Sequence, residues 1–83
     1  MKEIQHIMTL LEDIRNDKTV PKNIRLSIEQ AKHDLNDEKM EKPVRISSAI
    51  SILDEAANDT NLPVYTRTQI MSIVSQLEAI NRD

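Results

Sequence analysis

Three Asn-Asp pairs, Asn16-Asp17, Asn36-Asp37 and Asn58-Asp59, each followed by a proline (Pro21, Pro43 and Pro63), cut this chain into four stretches. Within each stretch apolar residues recur three and four positions apart, the period of one helix face. Ile4, Ile7, Met8, Leu11 and Ile14 mark the first stripe, and Ile24, Ile28, Ala31 and Leu35 the second. Ile46, Ala49, Ile50, Leu53, Ala56 and Ala57 mark the third, widened by Ile52; Ile70, Ile73, Val74, Leu77 and Ile80 mark the fourth. No stretch of comparable length alternates with period two, so the chain reads as all-α. Each proline precedes a helical pattern, where a missing N–H costs nothing and the fixed φ suits the first turn. The chain has no glycine. Asn is then the expected residue for the left-handed position that ends a helix. Links this short make successive helices antiparallel neighbours. The expected architecture is an up-and-down four-helix bundle, one domain over residues 1–83.

Sliding the chain against itself by 42 positions gives eight identities: Ile4/Ile46, Leu11/Leu53, Asn16/Asn58, Asp17/Asp59, Pro21/Pro63, Arg25/Arg67, Ile28/Ile70 and Leu35/Leu77. Ordinary residue frequencies would give about two or three. The matches fall on stripe, helix stop and helix start, which describes two copies of a helical hairpin, about 1–41 and about 43–83. Val20-Pro21 with Ile24-Arg25 resembles one helical-hairpin unit of HEAT and armadillo-like solenoids, and Val44-Arg45 echoes it. A two-unit solenoid fragment is therefore the second architecture, although stacked repeats usually need three or more units. The first hairpin carries twice the charge of the second, which predicts that helices 3 and 4 are the more buried pair and helix 2 the most solvated.

Composition removes many chemistries. Without cysteine there is no thiolate nucleophile, disulfide or zinc–cysteine site. Without glycine there is no phosphate-cradling loop of the Rossmann or P-loop kind. The serines Ser27, Ser47, Ser48, Ser51, Ser72 and Ser75 lie in helical patterns without a nucleophile elbow. The paired carboxylates Glu12-Asp13, Asp37-Glu38 and Asp54-Glu55 point about 100° apart on a helix and do not converge. His33 and Asp37, four apart, share a face and offer two metal ligands, short of the three or four that zinc needs. His6 reads as a surface residue. The sequence calls for no cofactor and no metal, and a metal-assisted hydrolase built on His33 and Asp37 is a remote alternative.

Two binding surfaces remain. Lys18, Lys22, Arg25, Lys32, Lys39 and Lys42 form the best candidate for nucleic acid or a ribosome. Glu29 interrupts them, Tyr65 is the sole aromatic for base stacking, and the net charge of −3 opposes non-specific binding. The stronger candidate is a protein interface: Val64, Tyr65, Arg67 and Met71 on helix 4 and Leu26 on helix 2 lie off their stripes. A non-catalytic interaction or scaffold module, homodimeric or bound to another protein, is the expected function. The first six residues lack the basic end and apolar run of a signal peptide, and no stretch reaches the ~20 apolar residues of a membrane span. A cytoplasmic location is expected.

Val20-Pro-Lys-Asn-Ile-Arg25 and the long run from Ala49 to Glu78 resemble a family of short archaeal proteins without assigned function. The likeness covers nearly the whole chain. It implies a cytoplasmic four-helix protein and brings no activity, cofactor or functional residue with it.

Overall fold

The four apolar stripes fold as four helices in a computed structural model, which describes residues 2–82: α1 (Lys2–Arg15), α2 (Lys22–Leu35), α3 (Lys42–Ala57) and α4 (Val64–Arg82). No strand occurs among the described residues. α1 packs on α2, α2 on α3 and α3 on α4, and α1 returns to close against α4. Neither diagonal pair, α1 with α3 or α2 with α4, is in contact. A solenoid fragment would stack those pairs; the closed ring is an up-and-down four-helix bundle. Its extents of 32 × 20 × 20 Å fit two helices by two, each about 10 Å across with side chains.

The duplication is written into the core. Ile4, Ile7, Leu11 and Ile14 are buried on α1, and Ile46, Ala49, Leu53 and Ala56 on α3, each 42 residues later. Ile24, Ile28, Ala31 and Leu35 on α2 correspond in the same way to buried Thr66, Ile70, Ile73 and Leu77 on α4. Val20 and Leu62 complete the set from the links. Where one copy has a large side chain the other often has a small one: Ile7 against Ala49, Ile14 against Ala56, Ala31 against Ile73. A close-packed interior is filled by large and small side chains in alternation. The two halves are thus buried to nearly the same degree. The expectation that α2 is the most solvated helix is overturned, because its charges other than Asp34 lie outside the stripe and its seam with α3 is the most extensive.

Cross-helix bonds fix the register. Lys32 on α2 pairs with Glu12 on α1, and Glu29, one turn back, pairs with Arg15, one turn on. In the second hairpin Asn81 Nδ2 donates to Ser47 Oγ at 3.2 Å, in the same register after a shift of 42. Between the copies, Asn23 Nδ2 donates to Asp59 at 3.0 Å and Ser48 donates to Asp34.

The links differ from the sequence expectation in two ways. No described residue has positive φ. Asn36 (φ −95°, ψ −2°) and Asn58 (φ −84°, ψ −3°) end their helices in right-handed geometry. The chain reverses instead through the neighbouring aspartate: Asp17, Asp37 and Asp59 accept the N–H of Thr19 (2.9 Å), Lys39 (3.0 Å) and Asn61 (2.8 Å). Such Asx turns replace a left-handed residue at no steric cost. Second, Pro43 does not occupy the place of Pro21 and Pro63. Glu41 does, and Pro43 lies in the first turn of α3. All three links then share one template, with an aspartate, an apolar residue three on (Val20, Met40, Leu62), a cap four on and an arginine eight on (Arg25, Arg45, Arg67).

Leu53 and Leu77 are fully buried. Leu53→Ala or Leu77→Ala is expected to cost roughly 2–5 kcal/mol, read in urea as a lower midpoint with an unchanged m-value.

Candidate interaction surface

From Val64 to Leu77 the only ionisable side chains of α4 are Tyr65 and Arg67. The stripe Thr66, Ile70, Ile73, Val74 and Leu77 turns inward, leaving Val64 (74% exposed), Tyr65 (72%) and Met71 (44%) outside with Thr68, Ser72 and Ser75. Tyr65 also borders a shallow groove of about 240 Å³ between α4 and α1, lined by Leu10, Ile14, Thr68, Gln69, Ser72 and Ile73. This groove lies along the thinnest seam of the bundle. An uncharged helix face carrying an aromatic and a methionine has the composition of an interface core, where charges are depleted.

The structure divides the residues singled out from sequence. Arg67 is half-buried and spent on the scaffold: its Nε donates to the carbonyl of Ala57 and an Nη to that of Asp59, both at 3.0 Å. It holds the end of α3, as Arg45 holds link 2 through the Met40 carbonyl at 2.7 Å. Leu26 is 61% exposed, but α2 lies diagonally across the ring from α4, so it belongs to a different surface. Val44, half exposed at the start of α3, was not singled out; its position just after Pro43 and off the Ile46 stripe is the feature that marks it.

His33 and Asp37 are not brought together as a site. The Asp37 carboxylate serves the link through Lys39, and His33 lies beside Asp34, with Nδ1 3.5 Å from Oδ1. No group of three or more metal-ligating side chains assembles among the described residues. Asp34, unremarked from sequence, is buried on the α2–α3 seam and accepts from Ser48 Oγ and, at 2.9 Å, from Gln30 Nε2. Its place three residues after Ala31, at the edge of the stripe, is the cue for its burial. The basic residues are also dispersed. Lys32 is paired with Glu12, Lys18 and Lys22 lie at link 1, and Lys39 and Lys42 lie at link 2, at the other end of the bundle.

The fold and this surface define a small all-α protein of the four-helix-bundle class. The family model for an uncharacterised protein family, UPF0147, matches residues 1–80, and the chain belongs to that family. It is 49% identical over 77 residues to the family member from Methanocaldococcus jannaschii, covering 93% of this chain and 83% of that one. A Methanosarcina mazei member is 44% identical over 80 residues, covering 96% and 86%. Among solved structures, the crystal structure of a Thermoplasma acidophilum protein of the same family superposes with a TM-score of 0.91 at 38% identity, covering 95% of this chain and 93% of that one. The crystal structure of an unknown-function protein, MMP1188, superposes at 0.88 with 46% identity, covering 92% and 86%. No helix among the described residues is long and apolar enough to cross a membrane.

The acidic groups carry a pH signature. The Ser48 hydroxyl holds the Asp34 carboxyl below its ordinary range against the opposing effect of burial, helped by Gln30 and His33. Thr19 does the same for Asp17, the Asn61 N–H and Asn23 for Asp59, and Lys32 for Glu12. A carboxyl whose folded pKa is depressed stabilises the fold fully above its unfolded value of about 4. That stability is lost as pH falls through the folded value. The urea midpoint should therefore drop on acidification from about pH 6 to about pH 3. Ser48→Ala should make the drop smaller, and an equal drop would show that the Ser48 bond does not act on Asp34.

Proposed function

We propose that this protein is a non-catalytic protein–protein interaction module of the cytoplasm whose contact surface is the outer face of α4, and that its first partner is a second copy of itself. The observation that carries this reading is the pairing of Val64 and Tyr65, both about three-quarters exposed, on a stretch of helix, Val64–Leu77, without an available charge. Exposed apolar residues are ordinary when scattered singly. Here they cluster on the first turn of α4 and continue to Met71, beside a groove lined by Leu10 and Ile14. Two-fold pairing is the commonest way for one chain to cover such a face, since one patch serves both sides. Tyr65 and Met71 would be its anchors. Aromatic side chains give large contact area at low entropic cost, and methionine adapts to irregular surfaces.

Light scattering on the purified chain at several concentrations and two salt levels should give a mass near twice 9.5 kDa. Little salt dependence is expected, because the surface is uncharged. Tyr65→Glu and Met71→Asp should each weaken association at least tenfold, about 1.4 kcal/mol, with helix content unchanged. Val44→Asp, at the other end of the molecule, should leave the mass as it was. A monomer at every concentration, or a dimer indifferent to both α4 substitutions, would overturn the proposal.

A further inference from the structure

The three links share one template, and one of them is incomplete. Arg45 and Arg67 each satisfy Nε–H with a backbone carbonyl. Arg25, at the same place in link 1, has a buried Nε with no hydrogen-bond partner among the described residues. Buried donors are nearly always paired; Arg25 is thus not tied to its link through Nε as Arg45 and Arg67 are, and its Nη groups, neither buried nor bonded to a described residue, remain for an acceptor from outside.

Its surroundings say what kind of acceptor. Arg25 lines a concave site of about 190 Å³ with Arg15, Lys22, Leu26 and Glu29, where the end of α1 meets the start of α2. Glu29 pairs with Arg15, while Lys22 and Arg25 form no ion pair with a described residue. Four cations and one acid lie between residues 15 and 25 of a chain whose net charge is −3. That one acid, Asp17, is already engaged by Thr19. Pro21 gives α2 no side-chain cap, and its first turn carries no acid, so the helix adds its own positive end to the corner.

We propose that this corner is an anion-recognition site that seats a carboxylate from an acidic segment of a partner protein. The site is smaller than the ~300 Å³ at which pockets for whole small molecules begin, so it fits a functional group on a larger partner. Guanidinium and carboxylate match as a two-point pair. Glu29 on the wall repels a phosphate dianion more than a carboxylate monoanion. Leu26, 61% exposed on the rim, offers a contact to an apolar neighbour of that carboxylate, which a nucleic-acid backbone lacks. The site is separate from the α4 face and stands whether or not the chain dimerises.

The test is amide and arginine side-chain NMR of the full chain at low ionic strength. The probe is a short peptide of alternating glutamate and leucine, and the control has every glutamate replaced by glutamine. The acidic peptide should shift the Arg25 Nε–H and the amides of Lys22 and Asn23, and the glutamine peptide should not. Arg25→Gln should weaken binding at least tenfold with helix content intact, and Lys39→Gln at the opposite end should not change it. If Arg25→Gln fails to fold, Lys22→Gln serves in its place with the same expected loss. No shift at this corner, equal binding by the variant, or tighter binding of a single-stranded oligouridylate at the same amides would overturn the proposal.

Discussion

An aspartate carboxylate accepting the N–H two residues further on makes this fold possible. The chain has to reverse direction three times without a glycine, and no described residue takes positive φ to do so. Asp17, Asp37 and Asp59 supply the turn from a side chain. Asp17 and Asp59 gain further bonds, from the Thr19 hydroxyl at 2.6 Å and the Asn23 amide at 3.0 Å. The turn is short enough to make each helix the antiparallel neighbour of the last. Antiparallel order in turn lets four stripes close into a ring.

The ring works because its two halves are the same object used twice. Burial repeats at an offset of 42 along all four helices, while large and small residues change places between the copies at Ile7 and Ala49, Ile14 and Ala56, and Ala31 and Ile73. The seams are not equal, however. The one between the copies, α2 with α3, is the most extensive; the closing one, α1 with α4, is the least. The groove bordered by Tyr65 lies on that last seam. The candidate surface is thus where the bundle has least of its own structure to cover its apolar residues.

The helices were legible because a stripe with a period of 3.6 depends only on which residues leave water, and the repeat was legible because identities fell on those stripes. The third copy of the link was hidden. Pro43 stands two residues past Glu41, the true counterpart of Pro21 and Pro63. Propensity alone makes Asn a left-handed stop, whereas here the adjacent aspartate does that work. Arg67 looked like an interface residue because it stands off the stripe; its reach back to the Ala57 and Asp59 carbonyls depends on link geometry that spacing does not convey. Leu26 could not be separated from the α4 residues until the ring put α2 and α4 on opposite corners. The buried Asp34 and the unpartnered Arg25 are properties of packing between helices, and one-dimensional periodicity is blind to them.

A bundle held by its links leaves its outer faces free to differ, and these do: from Val64 to Leu77 the outer face of α4 is uncharged, while the corner of α1 and α2 presents cations. Both follow from the same scaffold, so the scaffold is the claim to test first. The most direct measurement is urea unfolding of three variants, Asp17→Ala, Asp37→Ala and Asp59→Ala, beside the parent chain. All three should unfold at lower urea. Asp17→Ala and Asp59→Ala should lose more than Asp37→Ala, because those two carboxylates also hold Thr19 and Asn23. Midpoints unchanged in all three would contradict the account, since the reversals would then owe nothing to the aspartates.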